Sequence, residues 1–212
     1  PVEIAGGAVT TSANISAGTS SSVTFRANTL ALGTSNTVTA TSGIVTVTPT
    51  TATTPINLGT ETAGSVSLVT AELNTITSGT LRIGESGGSN SGAITVSAAL
   101  TPTTFSTFAL RTSGAVASSS AITIASLGVS SGGDVTLTGQ NNTTTLAITT
   151  SKVSPTVSYT EATGQTYTPG TVDGITANFG TVNSFTVASA PTSGYVNQVF
   201  SSSPVVTLKD LY

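Results

Sequence analysis

The chain has 212 residues and a formal net charge of −3, and only 6% of its residues are charged, against about a quarter in an ordinary globular domain. Cys, Met, Trp and His are absent, which excludes a disulfide framework, a thiolate metal site and any Ser–His or Cys–His catalytic pair. The five basic residues are scattered singly, and no apolar run approaches the ~18 residues of a membrane span. We therefore expect no nucleic-acid partner and no membrane insertion.

Short runs of alternating apolar and polar residues follow one another along the chain. The pattern is faint from Val2 to Val23 and clear from there to Ile148. In the stretch AELNTITSGTLRIG, Leu81 and Ile83 fall on one side of an extended strand and Thr80 and Arg82 on the other. Separators rich in Gly, Ser and Asn provide the tight corners. This alternation predicts an all-β protein of many short strands.

Similar phrases recur at a coarse interval of roughly 20–30 residues, a spacing that is typical of stacked units that each complete one coil. The phrases are SGIVTVT (Ser42–Thr48), SGTLRIG (Ser78–Gly84), SGAITVS (Ser91–Ser97), SSAITIA (Ser119–Ala125) and GGDVTLT (Gly132–Thr138). Large core residues are scarce, which favours thin layers of Val, Ile, Leu and Ala over the bulky centre of a sandwich. These features predict a β-solenoid.

One ordered set of phrases resembles the repeat region of filamentous-haemagglutinin-like bacterial surface adhesins. The set is AELNTITSGTLRIG, GAITVSAAL, AITIASLGVSSGGDVTLTGQNN and GTVDGI, within roughly Thr39 to Ile175. The resemblance implies a right-handed parallel β-helix, export from the cell and display as a fibre at the bacterial surface. Nothing in the chain matches the secretion domain that begins such proteins.

The style of the sequence changes near the C-terminus, after the alternation has weakened between Thr149 and Gln165. Residues 188–212 resemble the opening of an immunoglobulin-like repeat from bacterial surface proteins, with about 25 of the ~100 residues of such a domain. We therefore expect a solenoid over residues 1–187 and a partial immunoglobulin-like segment or exchanged strand over 188–212. Because the chain starts at Pro1, we expect it to be a fragment of a longer protein.

Catalysis on this scaffold would need carboxylates clustered at one point. The acidic residues are instead spread along the chain: Glu3, Glu61, Glu72, Glu85, Asp134, Glu161, Asp173 and Asp210. Stacking could bring Glu61, Glu85 and Arg82 together, yet the simpler interpretation is solubilising charge at the corners. We expect no enzymatic activity, and we assign no catalytic, cofactor-binding, metal-binding or ligand-binding residue.

Two further motifs have simpler explanations. The loop GESGGSNSG (Gly84–Gly92) has the glycines of a calcium turn but lacks the Asp ligands, so we interpret it as a corner loop. Asn14, Asn141 and Asn142 lie in N-x-S/T sequons, which are expected by chance in a chain so rich in Ser and Thr.

The favoured hypothesis is a non-catalytic, structural and adhesive segment of a secreted, surface-displayed bacterial fibre. Copies of itself, other surface components and host or surface glycans are the expected partners, and the location is extracellular, at the bacterial cell surface. The lack of Cys and Met fits an oxidising location. No cofactor is expected.

The alternative is a solenoid that binds a specific ligand, either carbohydrate or ice. Ice binding would use regular ranks of Thr, for which the stretch Thr37–Thr54 is the candidate, although its T-x-T repeat is irregular. Carbohydrate binding usually needs exposed aromatic rings, for which Tyr159, Tyr167 and Phe179 are the candidates. The simpler interpretation of these three rings is packing at the end of the solenoid.

Overall fold

The computed structural model describes residues 1–85 and 91–177, and these residues are almost entirely β-structure. The one helix in them is the single turn α1 (Thr70–Leu73). The strands are β1 (Val2–Thr10), β2 (Ile15–Ser16), β3 (Val23–Ala31), β4 (Val38–Thr48), β5 (Ile56–Gly59), β6 (Val66–Val69), β7 (Ile76–Ile83), β8 (Ile94–Val96), β9 (Thr107–Thr112), β10 (Val116–Ser118), β11 (Thr123–Ser131), β12 (Val135–Thr150), β13 (Val157–Glu161), β14 (Thr168–Pro169), β15 (Thr171–Val172) and β16 (Ile175–Thr176).

The first fourteen strands form one curled sheet in which every pair is parallel. One side of the curl, which we call sheet A, has the order β1-β3-β4-β7-β9-β11-β12. The other side, sheet B, has the order β6-β5-β8-β10-β12. The 16-residue β12 belongs to both, because its first residues pair with β10 and its last with β11. This stack of parallel strands confirms the predicted β-solenoid.

Aliphatic side chains fill the space between the two sheets in layers. The strand register of sheet A aligns Val2, Val23, Val45, Leu81, Phe108, Leu127 and Leu146 in one inward rank. From Val23 onward the members of this rank are at most 1% exposed. Each coil thus contributes a thin apolar layer, and its backbone groups bond to the coils on either side.

The coils differ in length more than the coarse repeat suggests. Phe108, Leu127 and Leu146 occupy one rank at intervals of 19 residues, whereas Val45 and Leu81 occupy it 36 residues apart. The long coil contains β5, β6 and α1, with β5 and β6 side by side in sheet B. Because loops at the corners tolerate insertions, the inward ranks survive this irregular spacing.

Hydroxyl groups at one corner link three successive coils to the coils before them. Thr112, Ser131 and Thr150 are aligned in the register of sheet A. Their hydroxyls donate to the carbonyls of Gly92, Gly114 and Gly133, respectively, on the preceding coil. Carbonyls left over at the turns are therefore satisfied by side chains.

Some elements differ from the sequence expectation. The faint N-terminal pattern forms the nine-residue β1, and AELN forms α1 and its C-terminal cap instead of strand. The predicted boundary at 187 and the immunoglobulin-like segment at 188–212 lie outside the described residues. In the part of the chain that the structure describes, no helix is long and apolar enough to cross a bilayer.

Candidate functional site

A shallow trough runs along the outer surface of sheet A. In the outward rank that contains Arg82, the next three residues are small: Ala109, Gly128 and Ala147. We call the rank of these three residues the trough. Ala109 and Ala147 are 0% exposed although they point away from the core, so another element must cover them.

The covering element is the antiparallel hairpin of β15 and β16, which we call the clasp hairpin (Thr171–Thr176). Its two turn residues, Asp173 and Gly174, have φ of 50° and 74°. Two successive positive φ angles are typical of a type I′ turn, for which Asp-Gly is a favoured pair. This short hairpin forms its own sheet, separate from the fourteen parallel strands.

Two aliphatic side chains seat the clasp hairpin in the trough. Val172 and Ile175 are each 3% exposed and pack with Ala109 and Ala147. A Cβ atom added at Gly128 would lie only 3.1 Å from the Val172 Cβ and the Ile175 Cδ1. The close approach of the hairpin therefore depends on a glycine at the middle of the trough.

Two arginines hold the turn of the clasp hairpin. The Asp173 carboxylate accepts from Arg82 Nε at 2.7 Å and from Arg82 Nη2 at 2.6 Å. Arg111 Nε and Nη2 each lie 3.3 Å from Asp173 Oδ2, and Arg111 Nη2 also donates to the Asp173 carbonyl. The Asp173 side chain is 7% exposed and that of Arg111 9%. The clasp hairpin is thereby fixed to both β7 and β9.

The two arginines keep Asp173 ionised although its side chain is largely buried. Burial by itself disfavours the charge, but hydrogen bonds and charge from Arg82, together with those of Arg111, outweigh it. The pKa of Asp173 consequently lies below its ordinary value. Two cations on one carboxylate leave this end of the trough with a net positive charge.

Stacking does not bring Glu61, Glu85 and Arg82 together as one cluster, which was the less favoured interpretation of these charges. Arg82 pairs with Asp173, while Glu85 pairs with Arg26, which also contacts Glu3 at 3.4 Å. The reason is that Arg82 points outward from sheet A, where the clasp hairpin returns across the coils. The pairs at this surface link residues 23 to 91 positions apart in the chain.

Glu72 is a buried structural group and not a solubilising charge. Its carboxylate bridges two backbone N–H groups: Oε1 accepts from the Leu32 N–H at 2.7 Å, and Oε2 accepts from the N–H of Val69, the residue before α1, at 3.0 Å. Burial raises the pKa of Glu72, the two backbone hydrogen bonds oppose the rise, and Glu61 adds to it. The residue is 5% exposed.

Tyr159 and Tyr167 pack at the C-terminal end of the described solenoid, as the simpler interpretation predicted. Their ring centroids are 5.2 Å apart in an edge-on arrangement, and both rings rest on the core. The Tyr159 hydroxyl bonds to Glu161 and Thr143, and burial raises the pKa of this phenol. Phe179, the third candidate ring, lies outside the described residues.

The candidate Thr array does not form a regular exposed surface. Thr46 and Thr48 are 7% and 0% exposed, and Thr46 is followed in its rank by Arg82 and then by the trough. Among the sequons, Asn141 is fully buried and its amide bridges the Ile122 N–H and the carbonyls of Leu137 and Thr160. The glycine-rich loop 84–92 lies partly outside the described residues.

A neutral groove of about 340 Å³ lies beside the loop that precedes β9. Phe105 and Ile124 are its most buried lining residues, and hydroxyl groups of Thr and Ser, together with the Asn142 amide, surround them. No charged residue lines it.

In residues 1–85 and 91–177, no group of three His, Cys, Asp or Glu residues is placed to hold a metal ion.

The clasp hairpin is not among the predicted elements, because Asp173 was interpreted as one of the scattered acids and GTVDGI only as part of the adhesin-like repeat. The available signal was Asp-Gly flanked by Thr-Val and Ile-Thr, which is a strong short-range hairpin pattern. Its docking partners, Arg82 and Arg111, lie in other coils, and the residues around them give no local indication of the hairpin.

Comparisons with protein-family models, curated proteins and solved structures found no match to this chain.

Proposed function

We propose that this chain is a non-catalytic, structural and adhesive segment of a secreted fibre on a bacterial surface, and that copies associate into filaments. The observation that carries the proposal is the stack of coils with an aliphatic interior and an outer surface dominated by hydroxyl groups and small side chains. The resemblance of its phrases to filamentous-haemagglutinin-like adhesins supports the bacterial and extracellular parts of the proposal.

A rod of this kind suits reach and extended contact. Seven aligned strands in sheet A span about 30 Å at the usual inter-strand spacing. Stability sums over neighbouring coils, so such a unit can be lengthened without redesigning its core. The arginines on the outer surface of sheet A are paired with carboxylates of the same chain, which leaves polar, weakly specific contact as the mode of adhesion.

The test is electron microscopy of the purified chain combined with adhesion of chain-coated beads to bacterial and host cells. Filaments, together with bead adhesion that survives a tenfold change in salt, are the expected result, because uncharged contacts are little screened. Isolated short rods and beads that adhere no better than uncoated ones would contradict the proposal.

Carbohydrate binding is the second candidate, and the neutral groove is the observation that favours it. Hydroxyl and amide groups around a small apolar floor could accept a neutral sugar. A glycan array distinguishes the two functions, because saturable binding of one glycan that is lost on Asn142→Ala and Thr144→Ala would favour the ligand-specific alternative. Ice binding is disfavoured by the buried Thr46 and Thr48, and absence of thermal hysteresis is the expected result.

A further inference from the structure

We propose that the trough accepts the clasp hairpin of a second copy of this chain, so that exchanged hairpins join neighbouring solenoids. This inference rests on the proposed self-association and supplies a contact for it. The second copy is indicated by the fit that the hairpin displays within its own chain, in shape through Gly128 and in charge through Asp173.

The clasp hairpin is attached to the solenoid by contacts that can be reproduced between copies. Val172 and Ile175 supply the apolar contact, and Asp173 supplies the charged one. Its inter-strand pairing is internal, and the nearest backbone bond to the main sheet is from Gly170 N to Leu146 O. Releasing the hairpin therefore leaves the parallel ladder up to β13 in place.

The segment before the hairpin is long enough to carry it across to a neighbour. Nine residues separate Glu161 from Thr171, and at ~3.3 Å per extended residue they reach about 30 Å. Two sheets packed about 10 Å apart make a rod narrower than that reach. Moving the clasp hairpin to a neighbour breaks the two-residue pairing of β14 with β12 and the contact between Tyr167 and Tyr159.

Concentration decides between the two arrangements, because the contacts are the same in both. A short tether holds the hairpin near its own trough at an effective concentration in the millimolar range. Exchange is therefore minor in dilute solution and becomes substantial when copies are packed at about 1 mM or above. Each copy offers one hairpin and one trough, so the contact is heterologous and can propagate as an open filament.

Cysteine trapping in the full chain tests this directly, since the native sequence has no Cys. Ala147→Cys is made in one copy and Val172→Cys in a second, differently tagged copy, because these two side chains belong to the one buried cluster between the trough and the hairpin. After mixing and mild oxidation, we expect a disulfide-linked heterodimer, with a dimer-to-monomer ratio that rises about 100-fold between ~10 µM and ~1 mM.

Three controls make the result specific. Thr95→Cys, which is exposed on sheet B, replaces Ala147→Cys and should give no heterodimer with Val172→Cys. Adding Asp173→Asn to the Val172→Cys copy should speed the appearance of the heterodimer without changing its final ratio, because the bonds to Arg82 and Arg111 are lost from both arrangements alike. The two cysteines in one chain should close within that chain at ~10 µM, which establishes that both variants fold with the hairpin seated.

The proposal is overturned if the two-cysteine chain closes internally while the mixed single variants stay monomeric at ~1 mM. Filaments that form without the heterodimer would also overturn the exchange and leave the proposed function standing. A heterodimer that rises with concentration but gives no filaments would support the exchange and contradict the fibre.

Discussion

Asp173 and Arg82 are 91 residues apart in the chain, yet the Asp173 carboxylate receives two hydrogen bonds from the Arg82 guanidinium, at 2.7 and 2.6 Å. Such a two-bond pair is directional as well as charged. It fixes the turn of the clasp hairpin to β7, which is the fourth strand in the order of sheet A. The C-terminal part of the described chain is thereby tied to its middle.

Removing the charge of Asp173 should loosen the clasp hairpin. Asp173→Asn keeps the shape but leaves two arginines without an anion, and we expect a loss of about 2 kcal/mol in the stability of the docked hairpin. Hydrogen exchange at the amides of Thr171–Ala177 measures it as a rise in rate of roughly 30-fold. Asp134→Asn, which removes the exposed pair with Lys152, is the matched control and should leave those amides unchanged.

The contribution of Asp173 should depend on pH in a defined direction. Because its folded pKa is lowered from 3.8, its stabilising effect is fully present above the unfolded pKa and is lost as the pH falls through the folded value. Exchange rates at the clasp hairpin in the native chain and in Asp173→Asn should therefore differ at pH 6 and draw together as the pH falls below the unfolded value of 3.8. A difference that does not shrink as the pH falls below 3.8 would contradict the charge-based explanation.

Glu72 should be required for stability through its two acceptors. Glu72→Ala removes the acceptor of the buried Leu32 N–H and of the partly buried Val69 N–H, and we expect a loss of about 2–4 kcal/mol in the free energy of unfolding. Denaturant titration measures this loss. Glu61→Gln, an exposed neighbour, should change it little; an equal loss would point to charge as the cause instead of the hydrogen bonds.

The pH dependence of Glu72 has the opposite sign to that of Asp173. Because the folded pKa of Glu72 is raised, its contribution is greatest below the unfolded pKa of about 4.5 and declines as the pH rises through the folded value. Glu72→Gln removes this titration. The stability difference between the native chain and Glu72→Gln should thus shift against the native chain as the pH rises from 4 to 7, as measured by denaturant titration at each pH.

Asn141 and Asn142 provide an adjacent pair with opposite expected outcomes. Asn141 is 0% exposed and makes three hydrogen bonds within and between coils, so Asn141→Ala should cost about 2–4 kcal/mol. Asn142 is exposed, so Asn142→Ala should lie within about 0.5 kcal/mol of the native chain. Thermal unfolding compares the two, and equal melting temperatures would show that the buried amide is dispensable.

The fold class was predictable because it follows from local patterns. Alternation in β7, β8 and β11 makes one side of each strand apolar, and such strands have to be stacked to bury that side. The corner residues are equally local, since Gly and small hydroxyl side chains suit tight turns wherever they occur. Insertions in a coil do not disturb these features, because the alternation of inward and outward side chains is set separately within each strand.

Which groups meet on the outer surface was decided only by the tertiary structure. The pairing of Arg82 with Asp173, and of Glu72 with the Leu32 N–H, depends on how many residues each corner contains and on where the hairpin returns. Coil lengths between 19 and 36 residues shift every later residue along the stack, so spacing in the sequence does not reveal these contacts. The sequence by itself determined what each strand buries, while the stacking of unequal coils determined which distant charges neutralise one another.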